Sequence, residues 1–186
     1  MKKVLLFLVI SLFLTGCGGE NRELEQMMSF RASLLSGMGC SFQTVITADY
    51  QGELYQFTLD CRCDEQGTLR FTVMEPETIS GISGVISGDG GKLTFDNEHA
   101  LAFGNLVDDQ LPPVTAPWLL VKTLRGGYVT SCGTEDGMMR ASIDDSYEDD
   151  ALRLDVWFLE DIPKRAEILW DNRRILSLEV TNFEIL

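Results

Sequence analysis

The sequence predicts an α+β protein, mainly β: a twisted antiparallel sheet of about ten short strands wrapped over an N-terminal helix and a short inserted helix. Three observations carry this. In successive short segments between Phe42 and Val180 apolar residues recur at every second position, the period of a strand with one buried face. Short turn-forming segments separate these runs, and short loops join antiparallel neighbours. Helical spacing occurs in two stretches, Arg22 to Ser36 and Trp118 to Arg125, and amphipathic helices must cover the apolar face of such a sheet.

The chain opens with Lys2-Lys3 and an apolar run from Val4 to Leu14, then Leu14-Thr15-Gly16-Cys17. The run suits a signal peptide and falls short of the ~20 residues that span a bilayer. Its ending resembles the lipobox of bacterial lipoproteins, which implies cleavage before Cys17 and acylation of that thiol. The expected organisation is a signal peptide over 1–16, a lipidated tether over 17–21 and a single half-barrel domain over 22–186. The expected location is extracytoplasmic, on the cell membrane.

Leu24, Met27, Met28, Arg31, Leu34, Leu35 and Met38 follow three- and four-residue steps and are expected on one helix face, with Asn21 as N-cap and Gly37 at the end. Strands follow over Phe42–Ala48, Leu54–Cys63 and Leu69–Val73. Gln51-Gly52 and Asp64 to Gly67 form the turns between them, and Pro76 stops the third. Ile79 to Gly88 reads as a turn and strand, Lys92 to Asp96 as the next strand, and Leu101 and Phe103 lie on another. Leu111-Pro112-Pro113 breaks the pattern. Pro117 is a favourable first helical residue, and Leu120, Val121 and Leu124 face inward. Tyr128–Cys132 and Met138–Ile143 form a hairpin, and Asp144 to Asp150 an acidic tip. Leu152 to Phe158 alternates, with Arg153, Asp155 and Trp157 on the outer side. Pro163 begins a connection, and Ala166–Trp170 and Leu176–Val180 make the last hairpin around Asp171-Asn172.

The 186 residues carry 15 Lys and Arg against 29 Asp and Glu, a net charge of −14. Loss of Lys2 and Lys3 with the signal peptide makes the body more acidic still. Such a chain has no general electrostatic route to nucleic acid, and a partner is expected to be basic or apolar. Acyl chains hold the body at the membrane without a basic patch.

Beyond Cys17 the cysteines are Cys40, Cys61, Cys63 and Cys132, which outside the cytoplasm allow up to two disulfides in three pairings. Cys61 and Cys63 share one strand face and are poorly placed to bridge each other. Partners on adjacent strands, free thiols, or a metal site are the alternatives. No catalytic set appears: His99 is the single histidine, and no nucleophile elbow, P-loop or dinucleotide fingerprint is present. The chain is therefore read as a non-enzyme with no cofactor and no metal. The run Asp144 to Asp150 lacks the spacing of a calcium loop.

Phe71-Thr72-Val73-Met74-Glu75-Pro76-Glu77, Ile82-Ser83-Gly84 and Gly91 to Asp96 resemble a section of lipoproteins with the outer-membrane lipoprotein carrier (LolA/LolB-like) fold. The helix from Pro117 to Leu124 and the ending Pro163 to Phe183 are similar to that family as well. The resemblance implies a half-open barrel around helices with an apolar cavity for acyl chains. Lipobox-bearing members occur in Gram-positive bacteria, spore germination lipoproteins among them. Because this chain keeps Cys17, a tethered accessory role suits it better than a shuttle. Cavity-lining candidates are Tyr55, Phe57, Leu59, Phe71, Val73, Leu93, Phe95, Leu101 and Phe103, for a lipid, acylated or other apolar ligand. The alternative is an envelope protein with a closed, ligand-free core that contacts a protein partner or a second copy, with Trp118 and Trp157 as exposed anchors.

Overall fold

The computed structural model describes residues 20–50, 53–95, 99–104, 111–148 and 151–186. The signal peptide, Cys17, the Gln51-Gly52 turn, Asp96 and the end of the acidic tip lie outside the described residues, as do the side chains of Phe95, His99 and Phe103. Helix α1 spans Glu20–Ser36. Six strands follow: β1 (Gly39–Tyr50), β2 (Glu53–Asp64), β3 (Leu69–Glu75), β4 (Ser83–Ser87), β5 (Gly90–Phe95) and β6 (His99–Phe103). A short 3-10 turn, Pro113–Thr115, leads into helix α2 (Ala116–Gly126). Five more strands complete the chain: β7 (Tyr128–Glu135), β8 (Met138–Asp144), β9 (Arg153–Leu159), β10 (Ile162–Trp170) and β11 (Arg173–Ile185).

All eleven strands form one open antiparallel sheet in the order β6-β5-β4-β3-β2-β1-β11-β10-β9-β8-β7. Every neighbour pair but one is consecutive in sequence. The exception joins β1 to β11, with Thr44 opposite Val180 and Ile46 opposite Leu178. The sheet keeps two free edges, β6 and β7, and the segment that carries α2 crosses from one to the other.

Local chemistry explains the hairpins. Asp136, Glu160, Asp161, Asp171 and Asn172 all have positive φ, as two-residue hairpin turns require and as Asp and Asn tolerate. The Glu160-Asp161 turn corrects one expectation: Pro163 does not begin a connection but lies inside β10, where the register against β9 shifts between Pro163 and Arg165. A strand proline is tolerated at such a bulge. A second bulge sets Asn182 and Phe183 against the single residue Phe42, and Asn182 takes a φ of 52° there. Gly39 carries a φ of 136°, and a Cβ at that position would run into the Cys63 carbonyl. Only glycine lets the chain leave α1 and enter β1 so close to β2.

The helices fill the concave face. Met27, Phe30 and Leu34 of α1 and Leu119, Leu120, Val121 and Leu124 of α2 are buried with Phe42, Ile46, Leu59, Phe71, Phe158 and Leu178 of the sheet. The buried stripe of α1 differs from the expected one. Leu24, Met28, Leu35 and Met38 are exposed, while Phe30, left out of the sequence stripe, sits at its centre. The cause is the ring cluster Phe30, Phe158 and Phe183, which pulls that face of the helix onto β9 and β11. Glu20 and Asn21 already belong to α1, so Asn21 lies within the helix and is not its N-cap.

Candidate functional site

Helix α2 forms the base of a cleft of about 730 Å³. The stripe that lines it, the largely buried Trp118 with Lys122 and Arg125, follows helical spacing opposite the buried Leu120 and Leu124. On one side stand the β2–β3 and β4–β5 turns, through Gln66, Gly67 and Gly88. On the other stand the β8–β9 loop and the end of β10, through Asp145, Leu152 and Trp170.

Hydrogen bonds pin the cleft together. Trp118 Nε1 donates to the Gly67 carbonyl at 3.2 Å. Arg125 donates to the Asp64 carbonyl at 3.0 Å and the Glu65 carbonyl at 2.5 Å. Lys122 Nζ lies 3.4 Å from Asp145 Oδ2 and 5.4 Å from the Trp118 ring centre. Asp145 also accepts from the Leu152 amide at 2.9 Å. The expected acidic tip is therefore partly structural: Asp145 closes its own loop and holds α2, and Asp144 pairs with Arg153 at 3.0 Å. The cleft's apolar wall is Leu111, Trp118, Leu119, Leu152 and Trp170, and its cations are Lys122 and Arg125. Among the described residues no carboxylate pairs with Arg125, which is held by two main-chain carbonyls of the β2–β3 turn.

Of the seven cavity candidates whose side chains are described, none lines this cleft. Leu59, Phe71 and Val73 are buried in the core, and Phe57 and Leu93 are half-buried against it. Tyr55 on β2 is 49% exposed, and Leu101 on the edge strand β6 is 56% exposed. Neither Trp118 nor Trp157 is the exposed anchor expected of it. Trp118 is 8% exposed and Trp157 3%.

Trp157 lies on the convex face between two guanidinium groups, Arg165 at 3.9 Å and Arg140 at 5.2 Å from its ring centre. Its Nε1 donates to Glu135 at 2.8 Å. Beside it the buried Asp155 accepts from Arg140 at 2.6 Å and from Ser142 Oγ at 2.6 Å. The pairing with Asp155 holds the Arg140 pKa above its ordinary value. Charged side chains thus roof an outward-pointing indole, an effect that strand alternation does not register.

The sequence reading missed Lys122, Arg125, Leu152 and Trp170. The spacing of Trp118, Lys122 and Arg125 was the available signal, since three residues on the outer face of a short, otherwise buried helix must meet either solvent or a second wall. Among the described residues no helix is long and apolar enough to cross a membrane, and no group of three His, Cys, Asp or Glu residues could hold a metal.

No protein-family model matches the chain, and no curated protein matches it. Solved structures are similar at low identity. An uncharacterized conserved protein from Thermus thermophilus has a TM-score of 0.48 at 11% identity, over 88% of this chain and 87% of that one. A LolA superfamily protein from Nitrosomonas europaea has a TM-score of 0.44 at 8% identity, over 91% and 94%. The lipoprotein LppX from Mycobacterium tuberculosis has a TM-score of 0.41 at 13% identity, over 87% and 93%.

Proposed function

We propose that the chain is a non-enzymatic, extracytoplasmic lipoprotein, anchored through an acylated Cys17, that binds an acyl-type ligand with an acidic head in the cleft over α2. The observation that carries this is the pairing of an apolar wall with the two cations Lys122 and Arg125 in a protein of net charge −14. The acidic body favours basic partners overall; within the cleft Asp145 balances Lys122, and Arg125 is the cation with no carboxylate partner among the described residues. Its volume of about 730 Å³ lies within the ~300–1,000 Å³ of small-molecule sites.

In the test, palmitate is titrated into the mature body and followed by native mass spectrometry. One molecule binds per chain. Leu152→Trp, which fills the cleft, and Arg125→Glu, which reverses its charge, each weaken binding at least ~10-fold, or ~1.4 kcal/mol. Unchanged binding in Leu152→Trp places the ligand elsewhere, and no binding by the parent sinks the proposal. Anchoring has its own test. Cys17→Ala removes metabolic palmitate labelling and shifts the protein from the membrane fraction to the soluble one. Labelling that survives the substitution rules the anchor out.

A second reading, a protein-contact role with a closed core, is favoured by the exposed Leu24, Met28, Leu35 and Met38 beside the exposed Ile185 and Leu186. In that case the parent binds no acyl ligand.

A further inference from the structure

The antiparallel register sets Cys40 of β1 directly opposite Cys63 of β2. Both are buried, and their thiols lie within hydrogen-bonding reach of each other. Facing residues in an antiparallel pair have Cα atoms ~4.5–5.5 Å apart, inside the ~4.4–6.8 Å range that a disulfide spans. Cys61 is different. Its cross-strand neighbours are Phe42 and Phe71, and it lies two residues from Cys63 along the same strand, with a parallel Cβ direction. Cys132 belongs to β7, the far edge of the sheet.

We propose that Cys40 and Cys63 form a dithiol–disulfide couple, with Cys63 as the attacking thiol and Cys40 as the resolving one. Arg125 is held beside the pair, where it donates to the main-chain carbonyls of Asp64 and Glu65 that follow Cys63. The Cys63 pKa is accordingly lowered, by the Cys40 hydrogen bond first and by Arg125 against the opposing burial, while that of Cys40 is raised. Arg125 also lines the cleft, whose lining includes neither thiol, and Cys63 beneath it is 1% exposed.

The oxidant is an external disulfide, small or protein-borne. The Cys63 thiolate attacks one of its sulfurs, a mixed disulfide forms, and the first half leaves as a thiolate. The Cys40 thiol loses its proton and attacks the Cys63 sulfur, and the second half leaves. Two protein thiols have then given up two electrons and two protons, and the external disulfide has become two thiols.

The full chain carrying Cys132→Ser is treated with oxidised glutathione under native conditions and mapped by peptide mass spectrometry. The expected product is a Cys40–Cys63 cross-link that still forms in Cys61→Ser. Cys40→Ser instead traps glutathione on Cys63, Cys63→Ser leaves Cys40 unmodified, and Arg125→Gln slows the reaction about 10-fold by withdrawing thiolate stabilisation. A cross-link that uses Cys61, glutathione trapped on Cys40 in place of Cys63, or a folded protein that stays fully reduced while its urea-unfolded form oxidises would each overturn the proposal.

Discussion

Phe30→Ala lowers the free energy of unfolding by about 3–5 kcal/mol, the range for truncating a buried phenylalanine. Phe30 is the joint between α1 and the sheet. Its ring meets Phe158 edge-on at 5.0 Å and Phe183 at 5.9 Å, and Phe183 stacks on Phe42 at 5.6 Å. One substitution therefore removes contacts to β9 and β11 and loosens the stack on β1. Its loss leaves a cavity between a helix and a sheet, neither of which can collapse freely. Urea denaturation reports it as a lower midpoint with an unchanged slope. Met28→Ala, on the exposed side of the same helix, stays within about 0.5 kcal/mol. A cost below about 1 kcal/mol for Phe30→Ala would show that α1 is not part of the folded body.

Asp155→Ala is expected to cost about 3 kcal/mol. Its carboxylate is 3% exposed and holds Arg140 and Ser142 at 2.6 Å each. Hydrogen bonds that involve a charged group contribute roughly 1.5–3 kcal/mol each. The loss falls short of their sum because Arg140 is partly exposed and keeps Glu135 at 3.4 Å. Trp157 reports the change, since its ring rests against the Arg140 guanidinium and its emission shifts as that roof loosens. Asp155→Asn, which keeps an acceptor but not the charge, loses less. A cost under about 1 kcal/mol would mean that the convex-face network is decorative.

Much of the sheet was legible because alternation is local. The residues of β3, β9 and β11 that the period marks as inward, Phe71, Leu154 and Leu178 among them, are buried, as are Leu59, Cys61 and Cys63 of β2, whereas Tyr55 at the start of β2 is exposed. Turn chemistry placed the described loops at Asp64–Gly67, Asp136-Gly137 and Asp171-Asn172, but not Glu160-Asp161, where neither residue is a glycine or asparagine and the nearby Pro163 drew the boundary. The helix stripe was harder to read. Leu24, Met28 and Leu35 fit the spacing as well as Met27, Phe30 and Leu34, and only the rings of β9 and β11 decide between them. The cleft was least legible, because its walls come from turns far apart in sequence, and Gly67, Lys122 and Trp170 carry no shared pattern. Trp157 misled for a related reason: what buries it is two arginines from neighbouring strands.

The β1–β11 ladder has a consequence for how the protein is made. The final strand, Arg173–Ile185, supplies the partner for the outer edge of the first one, Gly39–Tyr50. A chain that emerges N-terminus first can zip β1 through β6 by local hairpins, and later β7 through β10 in the same way. Until the last segment arrives, β1 remains an unpaired edge with Phe42, Ile46 and Ala48 on its inner face, the kind of surface that templates misassociation. Joining the two meanders is then the step of longest sequence separation and the slow one. It is sealed where Met38 N donates to the Leu186 carbonyl at 2.7 Å and Leu186 N to that of Gly39 at 2.9 Å. Loss of β11 would open this molecule down the middle of its sheet and not at its rim.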